Sequence, residues 1–444
     1  MKEEQTSMHH KLLIIGAGAA GLVAAVTAKD QGIDAAILER NDRIGKKILM
    51  TGDGRCNITN ESTATGAEDE LAALSGKFHS NQAGFPVSVL KQLGIRQTID
   101  FFSGLGLPLT KLKEGMMYPM SLQAASVLDI FQLALEDRDV PVYFNTKVED
   151  VIVRAEHPRF TVVCKVVTEE VEEQAVYTSD YLFLCTGGLT APSSGTDGSG
   201  YTLAERLGHT LIDPVPAIVQ LKVQYANMKQ LSGIKLQGKA HIQVNGEVVR
   251  SESGEIHFSE SGLSGPPVLQ LGRNAAHHLA RRDDVSVIVD LMPGRTEEEL
   301  VDFLEMHWGI FGHRTVVDSF IGIFHKKLVP VLLKETGIDQ QPYLLCQDLS
   351  WKTKKKFYRI LKHWEFIVTD TNGFANAHAT AGGIDTTELI EGTLESKLVP
   401  GLYLAGEVMD VDGDFGGYNL QWAWSSGYVA AIALAKQISE GKNK

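Results

Sequence analysis

The chain is poor in cysteine: it has four, Cys56, Cys164, Cys185 and Cys346, far apart and with no CxxC pair. That argues against a disulfide framework, a cysteine zinc site and a thioredoxin-type redox pair. Long apolar runs are scarce as well. The uncharged stretch Leu12 to Ala28 is short of the roughly 20 residues a membrane helix needs, carries glycines near its start and lacks a processing site suited to secretion. With a mean hydropathy of -0.05, the expectation is a cytoplasmic protein with no membrane association. Positive charge is in deficit, 42 Lys and Arg against 55 Asp and Glu for a net charge of -13, which speaks against a nucleic-acid partner. The basic run Lys352, Lys354, Lys355 and Lys356 reads as a solvated helix face. There are no internal repeats, and no Ser/His/Asp or paired-carboxylate arrangement is legible.

What is present starts at Lys11-Leu12-Leu13-Ile14-Ile15, which runs into Gly16-Ala17-Gly18-Ala19-Ala20-Gly21. This is a strand, a GxGxxG turn and a helix, stopped at Gly32 and followed by a second strand, Asp34 to Leu38, that ends in Glu39. The physics asks for each part. Gly16 allows a tight turn, Gly18 lets the backbone approach a pyrophosphate, and Gly21 lets the helix pack on the sheet. Phosphates would sit on the free N–H groups of the helix N-terminus, and Glu39, about 20 residues on, would accept hydrogen bonds from a ribose diol. The fingerprint alone implies only that a dinucleotide binds.

Alternating short strands and helices continue to about Gly188. Val127 to Leu135 is helical in pattern, Val140 to Phe144 is a short strand, and Lys147 to Val151 opens another. Phe160 to Val167 and Glu170 to Tyr177 form an expected hairpin leading to Tyr181 to Gly188, a buried parallel strand ending in glycines. Ser193 to Gly200 is a Ser/Gly/Asp-rich linker and an expected domain boundary. Residues 208–289 read as mostly β, with a hairpin on Asn245-Gly246, and residues 296–362 as mostly helical. Near the other end of the chain, the strand Gly401 to Ala405 breaks at Gly406-Glu407. A loop, Asp412 to Gly417, and a helix from about Tyr418 to Ile438 follow.

Two strand-to-glycine junctions in one sheet would open at the same carboxyl edge. That arrangement suits FAD, the ADP half resting on the first junction and the flavin half on the second, where the helix from Tyr418 would aim its positive end at the flavin N1/O2 edge.

The segment Gly45-Lys46-Lys47-Ile48-Leu49-Met50-Thr51-Gly52-Asp53-Gly54-Arg55-Cys56-Asn57-Ile58-Thr59-Asn60 resembles the signature loop of the BaiN-like (YhiN-like) bacterial flavoproteins, NAD(P)/FAD-dependent oxidoreductases. Phe258 to Pro266, Thr380 to Ile384 and Gly401 to Gly427 are similar to the same family, so the resemblance spans nearly the whole chain. It implies an α/β fold: a Rossmann-like FAD-binding domain of the glutathione-reductase type, built from residues 1–192 and 362–444. An inserted domain, 193–361, would have a β-barrel-like part (about 208–289) and a helical part (about 296–361).

The expected cofactor contacts are then Gly16, Gly18, Ala19, Ala20, Gly21, Glu39 and Arg40 at the first junction. Lys46, Lys47, Thr51, Gly52, Gly54, Arg55, Cys56 and Asn57 would form a flavin clamp, in which Gly52 and Gly54 permit close approach and Arg55 offers a fork of donors. Val148 is expected at the adenine by analogy, Thr186, Gly187 and Gly188 at the third strand end, and Gly406, Glu407, Gly417, Tyr418, Asn419, Leu420 and Gln421 at the return. No metal is expected.

A flavin needs no protein nucleophile, so the protein supplies orientation, proton transfer and electrostatics. Candidates for a proton relay are His378, Glu407, Asp410, Asp412, Asp414 and Tyr418. Cys56 is either a redox-active thiol or a small packing residue. The reading that follows is an FAD-dependent oxidoreductase acting on a small or medium hydrophobic substrate. The electron donor is left open: no second GxGxxG unit provides a domain for NAD(P)H, which would bind only transiently over the flavin, and a quinone, a protein donor or the substrate itself are the other sources. The alternatives are an FAD-containing enzyme of the tRNA-modifying type and a non-catalytic flavin-binding interaction protein.

Overall fold

The computed structural model describes residues 8–61, 71, 74–167 and 171–441. These divide into two compact units, 1–215 with 378–444, and 216–377. Both boundaries fall later than the expected 192/193 and 361/362. Residues 199–206 form a helix rather than a linker, and the strand Leu211–Ala217 pairs with Ala379–Ile384. The segment that reads as the start of the insert is thus still part of the first unit. The insert in turn keeps Trp364–Thr371, which closes its own sheet.

The first unit is built on a seven-stranded sheet. Strand β1 (Met8–Ile15) leads to helix α1 (Ala19–Asp30) and strand β2 (Ala35–Leu38). In β1, Leu12, Leu13 and Ile14 are fully buried, as a continuous apolar run requires when both faces of a parallel sheet are covered. β1 lies between β2 and the strand Glu172–Leu184, parallel to both, with Ile15 opposite Leu38 on one side and Leu184 on the other. Leu402–Leu404 pairs in parallel on the far side of Glu172–Leu184, with Leu404 opposite Leu184. Four strand ends, at Ile15, Leu38, Leu184 and Leu404, therefore finish on one edge. The expected single carboxyl edge for the two junctions is what the register produces.

The hairpin expected at Phe160 to Tyr177 is present as Phe160–Val167 against Glu172–Leu184; Glu170 lies outside the described residues. Its second arm and the expected buried strand Tyr181 to Gly188 are one 13-residue strand. Glu172 to Ser179 pairs antiparallel with Phe160–Val167, and Tyr177 to Leu184 runs parallel to β1. The helix expected from Tyr418 is 24 residues long, Tyr418–Gly441, and packs on α1. At the contact, a Cβ on Gly427 would collide with the Ala20 carbonyl oxygen.

The second unit is organised around a closed six-stranded barrel: Leu221–Gln224, Gly262–Ser264, Glu247–Phe258, Lys235–Val244, Val285–Asp290 and Trp364–Thr371. Asn245 and Gly246 make the hairpin turn with φ of 51° and 88°, the pair of positive angles that a two-residue turn demands. A helix at Pro266–Ala280 interrupts the region that reads as β. It starts on Pro266-Pro267, where a fixed φ suits the first turn, and buries Val268, Leu271 and Ala275 in the unit's core. The helical half holds Glu297–Ile310, Leu328–Thr336 and Trp351–Lys362, as expected. No helix among the described residues is long and apolar enough to cross a membrane.

Candidate functional site

At the edge where the four strands end, the first unit opens a cavity with an empty volume of about 1210 Å³. The fingerprint forms its floor. Gly16 has φ +102° and sits so close to the next strand that a Cβ would stand 2.6 Å from the Cys185 carbonyl oxygen. Gly21, whose Cβ would strike the Gly16 carbonyl oxygen, faces the packing and not the cavity. Gly18 differs from both: a Cβ there meets no atom within 4 Å, and Gly18 lines the cavity. It is also the N-cap of α1, and no side chain caps that helix. A buried helix start with free N–H groups beside an open cradle is what a pyrophosphate occupies.

Glu39 closes β2 with a buried carboxylate. Oε2 accepts from the Ala17 N–H at 2.7 Å, and Oε1 accepts from both the backbone N–H and the side-chain amide of Asn41, each at 2.7 Å. The carboxylate therefore fastens the glycine turn to the loop after β2 as well as facing the cavity. Arg40 also lines the cavity but is fixed to the Gly195 carbonyl (3.0 Å) and Asp197 (2.7 Å). Although desolvation opposes it, the guanidinium and the Ser199 N–H hold the Asp197 carboxyl well below the ordinary range. Val148, Thr186 and Gly187 line the wall where expected, and the buried Thr186 hydroxyl oxygen has no hydrogen-bond partner among the described residues.

The clamp divides. Lys46, Lys47 and Thr51 line the cavity; Gly52, Gly54, Arg55, Cys56 and Asn57 do not. Arg55 Nε donates to the Gly52 carbonyl (3.1 Å) and the guanidinium lies 5.3 Å from the Tyr118 ring centre, away from the cavity lining. Cys56 is fully buried and desolvation pushes its thiol up to about 12, which makes it a packing residue rather than a redox thiol. Asn57 packs against Gly417, 3.0 Å from the position a Cβ would take, and its buried side-chain oxygen has no hydrogen-bond partner among the described residues.

The return divides in the same way. Gly406, Glu407, Asn419 and Leu420 line the cavity. Gly406 is gripped from the C-terminal helix, its N–H donating to the Ser426 hydroxyl (2.9 Å) and its carbonyl accepting from the Trp422 indole (3.1 Å). Glu407 accepts from Lys47 (2.5 Å), from the Thr190 hydroxyl and from the Thr380 N–H (2.7 Å). This ion pair ties clamp to return at the cavity wall. Tyr418 is a core ring edge-on to Phe78, and Gln421 spends its buried amide on Thr59, Thr98, Leu93 and Ser425. Gly188 packs against Thr380.

Of the acidic relay candidates, Asp410 accepts from the Asn81 N–H (2.8 Å) and Asp414 pairs with His79 (2.9 Å). Asp412 is buried in the short strand Asp412–Gly413 beside His79. None of the three lines the cavity, whereas His378 does. Asn41, Lys147, Ser194, Thr196, Ser199 and Leu203 line it unanticipated. Ser194 to Ser199 lie in the stretch that composition marks as a linker, and only the fold brings it over the strand ends. Among the described residues no cluster of His, Cys, Asp or Glu could hold a metal.

The residues fit FAD: an uncapped helix start over an open glycine, an acid at the end of β2, and an orphaned Thr186 oxygen. Gly16 to Ala20, Glu39 and Val148 would hold the ADP half. Lys47, Thr51, Gly406, Asn419 and Leu420 would flank the flavin half.

The family described as HI0933-like protein Rossmann domain matches residues 10–433. A 3-dehydro-bile acid delta(4,6)-reductase from Clostridium scindens is 37% identical over 438 residues, 96% of this chain and 100% of that protein. A ribosomal RNA dihydrouridine synthase from Escherichia coli is 29% identical over 425 residues, 95% of this chain and 97% of that one. Among solved structures, the 3-ketosteroid-delta4-(5alpha)-dehydrogenase of Rhodococcus jostii aligns over 98% of this chain and 99% of its own, with a TM-score of 0.52 at 14% identity. At that identity the likeness speaks for the fold alone.

Proposed function

This chain belongs to the HI0933-like Rossmann-domain family and is an FAD-dependent oxidoreductase; we propose that it reduces a carbon–carbon double bond conjugated to a carbonyl, on a flat apolar polycyclic substrate of the steroid type. The observation that carries this reading is the full-length relative at 37% identity, whose name describes reduction of ring double bonds conjugated to a 3-keto group. Bound FAD would supply the hydride. The chain's share is to hold the cofactor, with the ion pair of Lys47 and Glu407 fixing the clamp against the return, and to present polar groups to the substrate. NAD(P)H is the proposed donor, binding transiently without a domain of its own.

The test begins with the two-banded flavin spectrum and FAD in the supernatant after denaturation. The protein is then reduced anaerobically with NADPH, NADH or dithionite and mixed with 4-androstene-3,17-dione. Reoxidation of the flavin with loss of the enone is the expected result. Flavin that no enone in a steroid panel reoxidises would overturn the substrate class.

A second reading has support from two relatives named ribosomal RNA dihydrouridine synthases and from the exposed Trp351, with Lys355 5.4 Å from its ring centre on the basic helix. Uridine reduction is the same chemistry, saturation of a double bond conjugated to a carbonyl. Salt-dependent RNA binding together with dihydrouridine formation would favour it.

A further inference from the structure

Most titratable side chains that line the cavity are already committed to protein partners. Glu39 is used by Ala17 and Asn41, Arg40 by Gly195 and Asp197, and Lys46 by Asp42 at 2.8 Å. Lys47 and Glu407 hold each other, and Lys47 gives a second bond to the Thr190 hydroxyl. Cys185 is a buried thiol that desolvation keeps protonated. Among the described residues this leaves Lys147 and His378. Lys147 follows Thr146, whose N–H donates to the Glu39 carbonyl at 2.9 Å, so it belongs to the ribose side. His378 belongs to the clamp side, within the electrostatic reach of Lys47 and Asp53.

His378 lines the cavity, and neither ring nitrogen has a hydrogen-bond partner among the described residues. Among the described residues its ring neighbour is Phe415, with centroids 6.4 Å apart. The backbone beneath it is rigid. Two residues on, the Thr380 N–H is held by Glu407, and the Thr380 hydroxyl accepts from the Leu189 N–H at 2.9 Å. A polar group one residue before a strand that is pinned at Thr380, facing a cavity and unspent on the protein, is placed to meet a ligand.

We propose that His378 is a catalytic residue that donates a hydrogen bond to the carbonyl oxygen of the substrate. The proposal rests on the reading of the reaction as saturation of a conjugated double bond. In that reaction the substrate gains a hydride, two electrons and one hydrogen, from the reduced cofactor at the carbon β to the carbonyl. It gains a proton from solvent at the α carbon. Between the two, negative charge rests on the carbonyl oxygen, and a donor already aimed there stabilises the transition state most. The His378 N–H is not consumed. Desolvation, opposed by Asp53 and reinforced by Lys47, depresses the imidazole below the ordinary histidine range, so near pH 7 the ring is neutral with one N–H to give. The same donor would serve a steroid enone and a uracil carbonyl.

The experiment uses the FAD-loaded protein and its His378→Ala and His378→Gln variants. First, 4-chlorophenol is titrated into the oxidised protein. Its phenolate oxygen imitates the charged carbonyl oxygen, and binding over the flavin produces a long-wavelength charge-transfer band without turnover. Wild type and His378→Gln should show the band, with binding at least about tenfold weaker in His378→Ala. Second, the reduced proteins are mixed with 4-androstene-3,17-dione. Reoxidation should slow by about 10²- to 10³-fold in His378→Ala and recover to within about tenfold of wild type in His378→Gln. FAD content should be equal in all three. Absence of the band in wild type, His378→Ala binding the phenol as tightly as wild type, or a wild type that reduces the dione no faster than a His378→Ala protein that also reduces it, overturns the proposal. A wild type that binds phenolate through His378 but leaves the dione unreduced upholds the role of His378 and overturns the steroid reading.

Discussion

Replacing Gly18 with alanine separates what the fingerprint does for the cofactor from what it does for the fold. The backbone at Gly18 has φ -82° and ψ -172°, a conformation open to any residue. A Cβ there meets nothing within 4 Å. The protein without FAD should therefore tolerate the change and gain up to about 0.4–1 kcal/mol, because alanine restricts the unfolded chain. With FAD the same methyl enters the space the pyrophosphate needs. Overpacking of that kind costs about 1–3 kcal/mol, which is roughly a 5- to 150-fold loss of affinity. The control is Gly21→Ala, whose Cβ would strike the Gly16 carbonyl oxygen and should destabilise the apoprotein itself. The assays are urea denaturation of each apoprotein and fluorescence titration with FAD. A Gly18→Ala protein that binds FAD as tightly as wild type would place the pyrophosphate elsewhere.

Glu39→Ala should weaken FAD binding and also lower apoprotein stability by about 1–3 kcal/mol, since the Ala17 and Asn41 donors lose their acceptor; equal denaturation midpoints for variant and wild type would show that the loop does not depend on it. Gln421→Leu should leave the FAD stoichiometry intact while costing about 2–4 kcal/mol, because four buried partners around the amide lose their bonds. A thiol reagent should label none of the cysteines in the native protein and all four after unfolding, as each is buried; rapid labelling of Cys56 would restore it as a redox candidate. The Glu388 carboxyl is desolvated, yet hydrogen bonds from Thr210 and His209 bring it below the ordinary value of 4.5. A depressed carboxyl contributes stability above that value and loses it as the pH falls through the native one. The stability difference between wild type and Glu388→Gln should thus be present at pH 7 and vanish progressively below about pH 4.5.

The first junction was legible because its sequence signal is local. Strand, glycines, helix and acid follow one another over about 30 residues, and each glycine has its own steric reason. The return was legible as a region but not residue by residue. Gly406 and Asn419 reach the cavity, while Tyr418 and Gln421, equally polar and flanking the same helix start, point into the core. That choice depends on helix phase, which the run Gly417 to Gln421 does not reveal. The clamp misled for a related reason: Arg55 has the chemistry of a phosphate ligand, but Cys56 adopts a positive φ of 60°, and the chain turns Arg55 back onto Gly52. The domain boundaries were misplaced because composition marks a loop and cannot tell whether it leaves the sheet. The linker-like stretch at Ser193 to Gly200 supplies Ser194, Thr196 and Ser199 to the cavity wall.

Counting donors and acceptors also separates His378 from a cluster that imitates a hydrolase. Ser396, His209 and Glu388 are aligned as a nucleophile, base and acid would be, with the Ser396 oxygen 2.9 Å from His209 Nε2 and His209 Nδ1 3.0 Å from Glu388. The Ser396 oxygen already accepts from the Leu398 and Val399 N–H groups at 3.0 and 2.9 Å. A hydroxyl oxygen has two lone pairs. Both are used, so the hydroxyl donates to His209 Nε2, and Nδ1–H donates a hydrogen bond to Glu388. No lone pair remains to attack a carbonyl, and Ser396 is buried away from the cavity. The cluster closes a turn; the imidazole with its bonding capacity unspent, and with a cavity before it, is His378.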